Sequence, residues 1–279
     1  MDEAVAGASA GISGTILGFP LDTIKARMQI SNLGITKSIQ EIYLQEKVRG
    51  FYRGVAAPLL SLTVLNTLNF SAYSFYCKIL NLKGPASSEL SSGAIVWKYG
   101  LAGALVGPLA SSISTPFELI KTKMQLGKRS GQQISNSFQM VGSILRSNGM
   151  TGLYQGHLVN TTREMLFLFT YFFVYENFKN QVTLVVQSPS LSIPVAGGFA
   201  GALGWFVSFP LDNIKSNIQA LVLSNVFQRK SALSIGRELF NSRGFVGLYS
   251  GVLPSVLRAF IVSATRFSSY EYTLSLFRS

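Results

Sequence analysis

The chain of 279 residues is 48% hydrophobic and only 13% charged, against roughly a quarter charged in ordinary soluble domains, which points to lipid rather than water as its setting. Its 24 Lys plus Arg outweigh 12 Asp plus Glu, for a formal charge of +12. Yet the bases gather at the ends of apolar stretches and in connections such as 125–129 and 228–237, with no interleaved aromatic platform, which excludes a nucleic-acid reader and suits anionic lipid headgroups. One cysteine, Cys77, and one histidine, His157, exclude an intrachain disulfide and a Cys or multi-His metal centre.

In chain order, the first predicted element is an apolar span from Ala4 to Leu21, free of Asp, Glu, Lys and Arg. It follows Met1-Asp2-Glu3 almost directly, so no cleavable presequence is expected. Further spans are expected over Val55–Cys77, Tyr99–Phe117, His157–Phe178, the charge-free run Gln181–Leu211, and Val252–Leu276. Each fits the roughly 20 residues that a helix needs to cross a bilayer. Between the paired spans lie polar, partly amphipathic segments near Thr36–Lys47, Ile134–Asn148 and Lys230–Ser242, which read as surface helices. All three lie on one side of the membrane, because an odd number of crossings separates them from the loops near Leu82–Ser92 and Val186–Ser190.

The chain repeats itself three times. Pro20-Leu21-Asp22-Thr23-Ile24-Lys25 returns as Pro116-Phe117-Glu118-Leu119-Ile120-Lys121 and as Pro210-Leu211-Asp212-Asn213-Ile214-Lys215. Before each proline stand two glycines four apart: Gly7 and Gly11, Gly103 and Gly107, Gly197 and Gly201. Such small-xxx-small spacing lets membrane helices approach closely. A glutamine follows each proline by nine residues, at Gln29, Gln125 and Gln219. A second landmark reads Gly50-Phe51-Tyr52-Arg53-Gly54, Gly152-Leu153-Tyr154-Gln155-Gly156 and Gly247-Leu248-Tyr249-Ser250-Gly251, and the next span opens at its last glycine. The fold expected is therefore an all-α membrane protein, six transmembrane helices in three repeats at 1–93, 94–188 and 189–279, each with a short surface helix.

Asp22 and Lys25 are three apart and share a helix face, with Gln29 one turn further on. A charge at the bilayer centre costs at least about 2.5–3.5 kcal/mol, so such residues face protein or water. Six charges at three corresponding positions suggest a ring, and a proline beside each removes a backbone donor where helices converge.

These motifs resemble the mitochondrial carrier family over essentially the whole chain, and more narrowly its carnitine/acylcarnitine and basic amino-acid carriers. The resemblance implies a pseudo-threefold arrangement with the surface helices on the matrix side. It also implies that Asp22, Glu118 and Asp212 pair with Lys25, Lys121 and Lys215 of other helices to close a matrix gate, braced by Gln29, Gln125 and Gln219. The family's acid-Gly pair is here Glu46-Lys47, Asn148-Gly149 and Arg243-Gly244, and its second base is Arg27, Lys123 and then Asn217. Its cytoplasmic gate falls on Tyr73, on Tyr175-Glu176 with Lys179, and on Tyr270-Glu271, where only the second copy is complete. That gate is expected to be weak, leaving Tyr73 and Tyr270 reachable in the unliganded protein.

The substrate positions of the family fall on Ser61, Arg163 and Arg258 and on their neighbours Leu62, Glu164 and Ala259, with Arg266 two turns beyond Arg258. An arginine fork suits a carboxylate. Neighbouring helix residues point about 100° apart, so Arg163 and Glu164 can serve two groups of one zwitterion. Thr63, Asn66, Asn69 and Asn160 are candidates to line the route. The expected function is alternating-access transport of an amino acid or carnitine-like zwitterion. It needs no cofactor and no metal, takes place by resemblance in the mitochondrial inner membrane, and is carried out by a monomer that binds cardiolipin where Gly54, Gly156 and Gly251 open helices. Carriage of carboxylates or acyl esters, and an uncoupling-type proton leak, stand as alternatives. An enzyme is disfavoured, since no nucleophile, base and orienting group cluster at recognisable spacing.

Overall fold

The computed structural model describes residues 2–31, 33–82, 96–126, 136–186, 189–221 and 231–258, with residues 261, 262, 265, 269 and 273 beyond them. Eight helices have bounds among these residues: α1 (Asp2–Ser31), α2 (Ile35–Phe51), α3 (Ala56–Ile79), α4 (Val96–Leu126), α5 (Ser137–Gly152), α6 (His157–Val186), α7 (Pro189–Leu221) and α8 (Ala232–Leu248). Residues 252–258 are helical as well, and no strand occurs among the described residues. The order is long, short, long in the first two repeats and long, short in the third, as the repeats require. α1 continues through Pro20, and α4 and α7 continue through Pro116 and Pro210.

At 24 to 33 residues, the long helices exceed the length of a bilayer crossing. Among the described residues, however, no helix is long and apolar enough together to cross a membrane. Runs such as Ser111-Ser112-Ile113-Ser114-Thr115-Pro116 in α4 contain no charge but are not hydrocarbon-like, and their hydroxyls bond helix carbonyls four residues back, as Thr115 does with Ser111.

The short helices share one backbone design. Each follows an extended residue, Gly34, Asn136 or Ser231, whose carbonyl accepts the first helical bond from Ser38, Met140 or Ile235. Near the end of each, one residue breaks the helix with positive φ and strongly negative ψ: Lys47 (53°, −149°), Gly149 (64°, −164°) and Gly244 (60°, −148°). That region is open essentially to glycine alone. Two copies supply glycine, and the first forces a lysine into the same conformation.

Contacts divide the chain into two compact units that cut across the repeats, each drawing on all three. The first unit comprises Met1–Thr63, Pro116–Gln155 and Asn213–Ser279. An apolar cluster in it sets Leu119, Ile120 and Met124 of α4 against Met140 and Ile144 of α5, with Leu153 after it. The second unit comprises Val64–Thr115 and Gly156–Asp212. Its cluster gathers Tyr73 and Cys77 of α3, Tyr99, Ala102 and Val106 of α4, and Leu168 of α6. Here α4 and α6 touch through glycine. A Cβ on Gly103 would stand 2.7 Å from the Leu168 carbonyl, and one on Gly107 would stand 2.8 Å from the Met165 amide nitrogen. Among the described residues the corresponding glycines do not repeat this: no atom stands within 4 Å of a Cβ on Gly11, and one on Gly201 is only in ordinary contact with Tyr171. The glycine spacing thus recurs three times, while the backbone contact is formed in the second repeat.

Candidate transport site

The acid-base motifs of the first unit pair between helices. Lys121 Nζ of α4 donates to Asp22 Oδ2 of α1 at 2.6 Å and lies 5.3 Å from the centroid of the Phe19 ring. Lys215 of α7 donates to Glu118 of α4. In both pairs the base of one repeat takes the acid of the repeat before it. The stems of Lys25 and Gln29 pack against Gly251, at 3.2 and 3.3 Å from where its Cβ would stand. Of the glutamines, Gln125 donates to the Thr23 hydroxyl, Gln219 accepts from the Thr122 hydroxyl, and the Gln29 carbonyl accepts from Asn217. These bonds tie α1, α4 and α7 together through neutral groups rather than through the charged atoms of the pairs.

Three charge contacts in this unit lie outside the expected gate pairs. Arg258 Nε reaches the other oxygen of Asp22, Oδ1, at 2.5 Å, as a charge contact rather than an aligned hydrogen bond. Glu46 of α2 holds two arginines, Arg27 at 2.9 Å and Arg53 at 2.7 Å. Arg27 also donates through Nε to the Gln125 carbonyl at 3.0 Å. The sequence signal for this cluster was the acid-Gly position at Glu46 and the second base of the motif at Arg27.

In the second unit Arg163 of α6 is 5% exposed and surrounded by polar groups. Its Nη2 donates to Glu164, its Nε lies 3.9 Å from Asp212 Oδ1 and 3.4 Å from Asn160 Oδ1, and its guanidinium carbon sits 5.9 Å from the Trp205 ring centroid. Asn160 is fully buried and does not line an open route, contrary to the expectation. Its amide nitrogen is spent on Ser114 and Thr115. Its place three residues before Arg163 puts both on one helix face, a signal present in the sequence. Nothing in the sequence marked Trp205.

At the expected cytoplasmic gate, Tyr73 is 1% exposed, because its ring stacks on Phe172 at 3.6 Å. The expected accessibility of Tyr73 is therefore corrected: an aromatic partner on α6 covers it. Tyr175 stacks on Tyr171 at 6.0 Å, and Glu176 is buried. Tyr270, Glu271 and Arg266 lie outside the described residues, as do the side chains of Ser61, Leu62 and Lys179.

Three helical repeats, each opening on a long helix followed by a short one, with acid-base pairs passed from one repeat to the next, define a three-repeat solute carrier. The family model described as "Mitochondrial carrier protein" matches residues 1–84, 93–184 and 187–279, and the chain belongs to the mitochondrial carrier family. Among its relatives, "Solute carrier family 25 member 45" of Mus musculus is 34% identical, covering 100% of this chain and 99% of the relative. The "Mitochondrial arginine transporter BAC2" of Arabidopsis thaliana is 32% identical, over 98% of this chain and 90% of its own length. The "Mitochondrial basic amino acids transporter" of Rattus norvegicus is 28% identical, over 98% and 89%. The protein is accordingly a carrier of the mitochondrial type, a family whose members are transporters.

Proposed function

We propose that the protein exchanges amino acids, foremost basic ones such as arginine, across the mitochondrial inner membrane. The observation that carries this reading is the side-by-side pair of Arg163 and Glu164 on α6, a cation and an anion on adjacent residues of a long helix. An α-carboxylate can replace Glu164 on the guanidinium, and an ammonium or guanidinium of the solute can replace Arg163 on the carboxylate. The net demand for charge is then zero at the α-carbon, which suits a zwitterion better than a dicarboxylate. Two relatives whose names specify arginine or basic amino acids support the same class. Arg258, with Ser61, Leu62 and Arg266, is assigned to substrate contact by its position in the repeat.

Asp22–Lys121 and Glu118–Lys215 are assigned to the matrix gate, together with Asp212 and Lys25 by correspondence. Gln29, Gln125 and Gln219 support it through hydroxyl and carbonyl bonds. Tyr73, Tyr175, Glu176, Lys179, Tyr270 and Glu271 are assigned to the opposite gate. Binding of the solute offsets the cost of separating the gate pairs, so the helices part only when loaded. A cleft of about 810 Å³ lined by Arg49, Tyr52, Arg53, Gly54 and Ser137 suits an anionic lipid headgroup such as that of cardiolipin, since helix N-termini and arginines together favour phosphate.

A thermal-shift screen of the purified protein tests the substrate class, because a ligand that binds the folded state raises its apparent stability. Arginine, lysine or ornithine should raise the midpoint. A response to dicarboxylates or carnitine esters alone would replace the amino-acid reading with the carboxylate or ester one.

A further inference from the structure

Around Arg163 the second unit holds a continuous chain of hydrogen bonds that none of the transport motifs requires. Thr115 Oγ1 has one proton, and the Ser111 carbonyl lies 2.6 Å away, a bond in which the hydroxyl must donate. Thr115 therefore meets both of its other partners as an acceptor. One is Asn160 Nδ2 at 3.0 Å and the other is His157 Nδ1 at 3.0 Å. Both lone pairs of the hydroxyl are occupied, and His157 must carry a proton on Nδ1.

Asn160 is fixed by the same reasoning. Its amide nitrogen has two protons, one directed to Thr115 and the other to Ser114 Oγ at 3.2 Å. Its oxygen is left to face Arg163 Nε at 3.4 Å. A flipped amide would set its NH2 against a guanidinium and its oxygen against Thr115, whose proton is already engaged, so only one orientation satisfies the group. Burial makes this decisive, because Asn160 and Thr115 are both fully buried and no water competes for their bonds.

We propose that Asn160 is a positioning residue that aims the Arg163 guanidinium, and that the Thr115 hydroxyl and the Nδ1–H of His157 lock Asn160 in the orientation that does so. The proposal rests on the reading of Arg163 as a substrate contact. It goes beyond that reading in naming what holds the arginine. The guanidinium is gripped along its Nε edge by Asn160, with Asp212 nearby, and along its Nη2 edge by Glu164, with its carbon 5.9 Å from the centroid of the Trp205 ring. Loss of the Nε grip lets the fork rotate about its stem, and a carboxylate then meets it out of register.

The protein has a single histidine, so labelling with 15N-histidine gives one imidazole and an unambiguous spectrum. The full chain in lipid nanodiscs should show His157 protonated on Nδ1, and both Asn160→Ala and Thr115→Val should shift its nitrogen resonances. A neutral imidazole protonated on Nε2 in the unmodified protein, or an Asn160→Ala spectrum identical to it, would overturn the proposal. In proteoliposomes, Asn160→Ala should raise the KM for L-arginine about fivefold with Vmax nearly unchanged, the size of one ordinary hydrogen bond lost. A fall in Vmax at constant KM would mark a merely structural residue and count against it. Failure of the unmodified protein to take up L-arginine would instead strike the substrate reading, and the imidazole spectra would still decide the hydrogen-bonded chain.

Discussion

Arg258 Nε lies 2.5 Å from Oδ1 of Asp22, whose Oδ2 takes Lys121 Nζ at 2.6 Å. A single carboxylate of the gate motif thus serves both its gate partner and the arginine assigned to substrate contact. Asp22→Asn would leave two cations facing a neutral amide, at a cost of about 2–4 kcal/mol, moderated by the partial exposure of both bases. The expected result is a lower melting midpoint and at least about tenfold slower exchange. The charge swap Asp22→Lys with Lys121→Asp re-forms one pair but sets a lysine against Arg258. It should therefore recover less stability than the triple variant that adds Arg258→Glu, as thermal unfolding of the three proteins would show.

Lys47 occupies a backbone conformation that its counterparts reach with Gly149 and Gly244. Lys47→Gly removes strain of about 1–3 kcal/mol and should raise the melting midpoint, even though glycine costs more unfolded-state entropy. Gly149→Ala should lower it, since its φ is 64°. An unchanged midpoint for both would mean that the turn yields without strain.

Glu46 neutralises Arg27 and Arg53 together, and Arg27 is 1% exposed. Glu46→Gln should therefore destabilise by about 3 kcal/mol or more, because a buried guanidinium loses its counterion. The second repeat has Lys123 in place of Arg27 and Asn148 in place of Glu46. Lys123 is 3% exposed, and no ion pair to it is described among the described residues. Asn148→Glu restores the missing acid and should raise the midpoint by about 2–4 °C.

The glycines separate pattern from contact. Gly107→Val drives methyl groups into the Met165 backbone and should cost about 1–3 kcal/mol, whereas Gly11→Ala meets no atom of the described residues within 4 Å and should be neutral or slightly stabilising through better helix propensity. Unfolding of the two variants side by side distinguishes them.

The repeat architecture was legible because proline, acid and base recur at fixed spacing, and one helix face must carry them wherever it packs. The pairing between repeats, as in Lys215 with Glu118, followed from family resemblance and from the cost of isolated charge in a membrane, not from spacing alone. The neighbours of Arg163 were only half legible. Asn160 shares its helix face at three residues' distance, but Trp205 and Thr115 come from other helices, and sequence spacing carries no information on such contacts. Tyr73 was misjudged for the same reason. Its covering ring, Phe172, is supplied by a helix of the next repeat.

The central claim is solute exchange, and the most direct measurement is uptake of labelled L-arginine by proteoliposomes prepared with and without unlabelled L-arginine inside. The account predicts saturable uptake that is several-fold faster, on the order of tenfold, with internal arginine, and that is lost when Arg163 or Asp22 is replaced. Uptake that rises linearly with concentration and ignores the internal solute, or a proton conductance with no arginine movement, would contradict it.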